Sequence, residues 1–191
     1  MLNKKIVISL FLSLLYQSSL SAKSASFDDF NSKNLSKYFS GVVAFENKNN
    51  SKALDYFKSS KTLINQHEPY LERFVMSLVL EEKVVQAINI IKTNTKKNNS
   101  DFFEAYILLA LDSFKKNNID RAIKILAEVP EYLQKDRINF IIVDSLKQYA
   151  DVFLSKKIKK KNQNFGSLSL VTETFQRCYL DDKNTDSFFS R

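Results

Sequence analysis

Three alanines, Ala53, Ala87 and Ala122, lie 34 and 35 residues apart, and each is followed four residues later by a large apolar side chain, Phe57, Ile91 and Leu126. A fixed period of this length constrains the chain more than any other feature. It belongs to stacked helix pairs, in which each unit buries its apolar face on the next. The stretches that align are GVVAFENKNNSKALDYFKSS (41–60), VMSLVLEEKVVQAINIIKTN (75–94) and ALDSFKKNNIDRAIKILAEV (110–129). Within a unit the apolar residues recur at three and four positions, as in Tyr38, Phe39, Val42, Val43 and Phe45. That is the helical period and not the strand period. Two glycines and two prolines in 191 residues leave almost no material for hairpins or phosphate-cradling loops. The expected fold class is therefore all-α, an α-solenoid of antiparallel helix pairs.

Polar runs separate the periodic stretches: NKNN (47–50), EEK (81–83) and KKNN (115–118) within units, QHEP (66–69) and KKNNS (96–100) between them. Asn tolerates the left-handed backbone of a turn and caps the amides of a following helix, so these runs are read as helix connections. Pro69 suits the first turn of a helix, where its missing amide costs nothing. Asp101 followed by Glu104 has the form of an N-terminal capping box.

At these residues the chain resembles the tetratricopeptide repeat (TPR) family. The resemblance rests on the period, on a small residue in the first helix (Gly41, Ala110), on an aromatic near its end (Phe45, Phe114) and on the three alanines. It covers roughly residues 34–133. The family's first-helix Trp is absent, Asn65 and Asn99 stand where its Pro is usual, and Val75 occupies the small site of the second unit. The stretch RINFIIVDSLKQYADVFL (137–154) reads as the first half of a degenerate fourth unit, giving about three and a half TPR-like repeats over 34–154. A basic polar linker (155–166) follows, then a further helix (167–191) that would open a truncated repeat, with Leu168, Leu170, Val171, Phe175, Cys178 and Tyr179 at helical spacing. A solenoid normally closes on a polar capping helix, so the apolar Phe188-Phe189 pair suggests a fragment of a longer repeat protein.

The family geometry implies that first helices line a concave groove. The groove residues would be Tyr38, Phe39, Val42 and Phe45, then Glu72, Arg73, Met76 and Val79, then Ile107, Leu108, Leu111 and Phe114. Such a trough suits an extended or helical peptide, although an aromatic stripe at this spacing is equally inter-helix core. Family members that grip a terminal carboxylate use Lys and Asn where this chain has Tyr38, Val42 and Leu108, so that clamp is not expected.

Residues 1–25 have the three parts of a secretory signal peptide: Lys4 and Lys5, the apolar run IVISLFLSLL (6–15), and a small, polar stretch. Ten helical residues reach about 15 Å, half of the roughly 30 Å of a hydrocarbon core, so export with cleavage between Ser21 and Ser26 is favoured over a retained anchor. No Cys follows the run to accept a lipid. The expected location is the periplasm or cell envelope of a bacterium.

Catalytic chemistry finds little support. His67 is the only imidazole, which removes His metal clusters and makes a Ser-His-Asp triad improbable; it is read as an exposed turn residue. Cys178 is the only thiol and is read as a small buried hydrophobe, with an intermolecular disulfide as the alternative. Glu81-Glu82 and Asp181-Asp182 are sequence neighbours, which point about 100° apart on a helix and do not share a site. No catalytic residue, cofactor or metal is expected.

Of the formal charge of +8, three belong to Lys4, Lys5 and Lys23 and five to Lys156, Lys157, Lys159, Lys160 and Lys161, leaving the repeat body near neutral. Nucleic acid is thus not an expected partner. The favoured function is an exported, non-enzymatic scaffold that binds a protein or peptide of the envelope. The alternatives are the recognition arm of a longer envelope enzyme, and weak contact with an anionic membrane surface through the lysine segment, where each Lys contributes about 1 kcal/mol.

Overall fold

The computed structural model describes residues 31–94, 101–158 and 165–190. The apolar N-terminal run, its cleavage region, and Lys159, Lys160 and Lys161 lie outside them. The chain enters α1 (Ser32–Glu46) at Asn31, whose side chain accepts the Lys33 amide. It continues through α2 (Asn50–Ser59), a 3-10 turn (Lys61–Asn65), α3 (Glu68–Leu80), α4 (Val84–Asn94), α5 (Phe103–Lys115) and α6 (Ile119–Ala127). A second 3-10 turn (Glu131–Gln134) leads to α7 (Arg137–Ser155), α8 (Ser167–Tyr179) and α9 (Thr185–Phe189). No strand occurs among the described residues, and the fold is all-α. Each helix packs chiefly on its chain neighbours, most extensively α1 on α2 and α5 on α6.

The repeated positions are buried alike. Ala53, Ala87 and Ala122 are fully buried, as are Phe57, Ile91 and Leu126. Gly41 is required by a close approach, since a Cβ there would stand 2.9 Å from the Phe57 ring. Around Phe57 gather Leu54, Leu63, Tyr70, Leu71 and Val75, and the buried Tyr70 hydroxyl donates to the Phe57 carbonyl. Burial pushes the Tyr70 phenol well above its ordinary range, so it stays a donor. A second, smaller cluster joins Phe103 of α5, Val129 and Val143 of α7.

The turns repeat with the alanines. Lys48, Glu82 and Asn117 have positive φ of 61°, 60° and 56° and lie 34 and 35 residues apart. At each, the left-handed residue donates to the carbonyl three back and the next residue donates to the carbonyl five back, as in Lys48 to Phe45 and Asn49 to Ala44. These paired bonds form a Schellman closure. Asp181 and Asp182 close α8 in the same way. The expected asparagines therefore divide their roles: only Asn117 of the three takes the left-handed conformation, whereas Asn49 and Asn118 cap α2 and α6 through their side chains. Two hydrogen bonds per turn offset the roughly 1–2 kcal/mol that this conformation costs Lys48 or Glu82.

Pro69 sits in the first turn of α3 as expected. The capping box at Asp101 does not form. Phe102 is the N-cap of α5 and makes no side-chain cap, because the Asp101 carboxylate instead accepts the hydroxyls of Tyr106, at 2.6 Å, and Tyr132. Asp112 ties α4 to the end of α5, accepting Lys92 at 2.7 Å and Lys116 at 2.8 Å. Lys116, then Lys92, hold its carboxyl below the usual range.

Candidate functional site

The structure brings part of the expected groove together. Met76 and Val79 of α3, Phe103, Glu104, Ile107 and Leu108 of α5, and Asn139 and Ile142 of α7 line one cleft of about 310 Å³. Its walls come from three helices separated in sequence, each presenting residues one or two helical turns long. The volume lies at the small end of ligand pockets, about 300–1,000 Å³, enough for one or two side chains and not for a folded surface.

Tyr38, Glu72, Ile107 and Ile142 follow one another at 34, 35 and 35 residues. They occupy one repeat position whose exposure grows along the chain, from 4 % at Tyr38 to 36 % at Ile142. Tyr38 is thus core and not groove: its ring packs on Phe57, on Tyr70 and edge-on against His67 at 4.6 Å. The same contact makes His67 a half-buried packing residue at the start of α3 and not a free turn residue. Phe39 is exposed but lines a different, shallow depression with Val43 and Tyr56. Val42 and Phe45 pack on the core of α1–α4. Arg73 lies over the Phe45 ring at 5.4 Å and pairs with Glu46 at 3.0 Å, which ties α3 back to α1. Leu111 is exposed outside the cleft, and Phe114 meets Phe153 of α7 edge-on at 6.0 Å. The cleft therefore keeps Met76, Val79, Ile107 and Leu108 of the residues expected to line it.

Phe103, Glu104, Asn139 and Ile142 escaped sequence reasoning. The signal for two of them was present: Asn139 lies 35 residues after Glu104, and Ile142 lies 35 after Ile107. Extending the period one unit beyond the third places both on the same wall. Glu104 was obscured by its spacing from Asp101, which mimics a cap.

Two carboxylates mark the cleft. Glu104 lines it, and Glu72 lies one helical turn before Met76 on α3. Burial raises the Glu72 carboxyl above the usual range, the Glu104 charge raises it further, and Arg73 offsets part of this. Ionised Glu72 consequently costs folding stability above its raised pKa, a cost that vanishes once pH falls below the ordinary carboxylate range.

Elsewhere, Cys178 is exposed and not part of a buried stripe. The buried positions of α8 are Thr172, Thr174 and Gln176, so this helix is rotated away from the orientation its apolar spacing implies. In the basic segment, Lys156 ends α7 in a left-handed conformation, donates to the Tyr179 hydroxyl at 2.5 Å and lies over that ring at 4.7 Å. Among the described residues, no three His, Cys, Asp or Glu are grouped to hold a metal ion, and no helix is long and apolar enough to cross a membrane. No protein-family model, curated protein or solved structure matches the chain significantly.

Proposed function

We propose that this chain is an exported, non-enzymatic solenoid of TPR-like repeats that binds a peptide segment of another envelope protein in the cleft between α3, α5 and α7. The observation that carries the reading is the convergence of Met76 of α3, Ile107 of α5 and Ile142 of α7 on one apolar cleft. Stacked units that each contribute one wall form a concave surface, and an apolar cleft of this volume takes one or two side chains of an extended or helical segment. Export rests on the pattern of residues 1–25, Lys4 and Lys5 followed by the short apolar run.

The test places a photo-crosslinking amino acid at position 142 in the full chain expressed in a bacterial host with an envelope. Adducts are expected in the envelope fraction from position 142 and not from the exposed position 58 of α2. The recovered protein should begin after Ser21. Equal adducts from both positions would sink the groove assignment, and recovery of the protein with Met1 intact would sink export.

A further inference from the structure

The floor of the cleft is apolar, but its charge is one-sided. Glu104 lines it, Glu72 stands beside it, and the two carboxylates repel one another. Neither closes an ion pair or accepts a hydrogen bond among the described residues. Arg73, the cation whose charge acts on Glu72, is committed to Glu46 and to the face of Phe45. The free cleft thus holds a half-buried negative charge that Arg73 compensates only in part, in a chain segment that is otherwise near neutral.

We infer that the segment taken by this cleft carries a large apolar side chain beside a Lys or Arg, the apolar group seating against Met76, Ile107 and Ile142 and the cation meeting Glu72 and Glu104. This rests on the groove reading above and deepens it. A bound cation removes the repulsion that the free protein carries, so its gain is realised only in the complex. A segment with Asp or Glu beside its apolar residue brings a third negative charge to a partly desolvated site and is rejected. An apolar segment with no charge leaves the two carboxylates as they are. The selectivity is for the sign of the neighbouring charge, not for one sequence.

The full chain, purified and immobilised, is panned with a phage-displayed library of random twelve-residue peptides. Ile142→Lys serves as the counter-target, because the 36 % exposed Ile142 lies outside the buried core and the substitution lets the fold persist while its ammonium occupies the cleft. Circular dichroism and thermal melting confirm that the variant is folded. The expected outcome is enrichment, lost on Ile142→Lys, of peptides with an apolar residue within two positions of Lys or Arg and depleted in Asp and Glu. For one enriched peptide, Glu72→Gln combined with Glu104→Gln lowers affinity by about tenfold at low salt without lowering the melting temperature. That loss shrinks as salt is raised. Peptides that depend on Ile142 but lack any preference for bases would overturn the charge rule and leave the groove standing. Failure to enrich any peptide sensitive to Ile142→Lys would overturn the groove and the charge rule together. An unchanged affinity in the double variant would overturn the charge rule alone.

Discussion

In α1 to α4 the fully buried side chains include Leu54, Phe57, Leu71 and Leu78, whereas in α8 the buried positions are Thr172, Thr174 and Gln176. There Leu168, Val171, Phe175 and Tyr179 are each about half exposed. Both regions are helical and both carry apolar residues at helical spacing, so periodicity alone does not decide what is buried. The difference lies in the neighbours. In the first region the alanine, a large apolar residue four positions on and the Schellman turn recur at the same spacing, and each helix finds the next at a fixed distance in sequence. The 34-to-35-residue period places no such partner beside α8. Its charged contacts are local: Arg177 pairs with Glu173 one turn back at 2.6 Å and with Asp182 of the closing turn at 3.1 Å, and lies over the Phe188 ring of α9 at 4.0 Å. Two aromatic contacts join this region to α7, Phe153 with Tyr179 at the end of α8 and Phe140 with Phe165 just before its start.

The largest effect is expected where the repeat is tightest. Phe57→Ala opens a cavity beneath Gly41, removes the ring on which Tyr38 and Tyr70 pack, and should destabilise by about 3–5 kcal/mol in urea unfolding. A cost below about 1 kcal/mol would mean that the first region is no better packed than the last, and the contrast would fail. A smaller effect of opposite sign is expected in α8. Gln176 is 2 % exposed and its side-chain oxygen has no hydrogen-bond partner among the described residues, so Gln176→Leu, which keeps the volume and removes that acceptor, should stabilise by about 1 kcal/mol. A loss of stability from Gln176→Leu would show that water or a partner satisfies that oxygen, and the polar interior of α8 would then be as well ordered as the core of α1–α4.

What could be read ahead of the structure follows the same division. The spacing of Ala53, Ala87 and Ala122 announces helices and their turns because a repeated unit averages out local ambiguity, and all three lie where that period puts them. Tyr38 could not be placed from its own unit, because whether the first-helix position faces a groove or the core depends on His67 and Tyr70, about one unit later in sequence. Half of the cleft was legible, in Met76, Val79, Ile107 and Leu108; Ile142 and Asn139 needed the spacing carried one period further, into α7. Cys178 was misjudged for a different reason. A hydrophobic stripe specifies which residues would face a partner, and no sequence rule states whether the partner is there.

The smallest effect completes the comparison. Phe175 has the same side chain as Phe57 and sits on a helix of similar amphipathic spacing, but it is 53 % exposed where Phe57 is fully buried. Transfer free energy follows the area removed from water, so the loss of an aromatic ring already half in water removes little. Phe175→Ser is expected to lower the unfolding free energy by less than about 0.5 kcal/mol, read as a small shift of the urea midpoint at unchanged slope and roughly a tenth of the effect of Phe57→Ala. A loss of about 2 kcal/mol or more would mean that Phe175 is covered in solution, and the two regions would then obey one rule of burial rather than two.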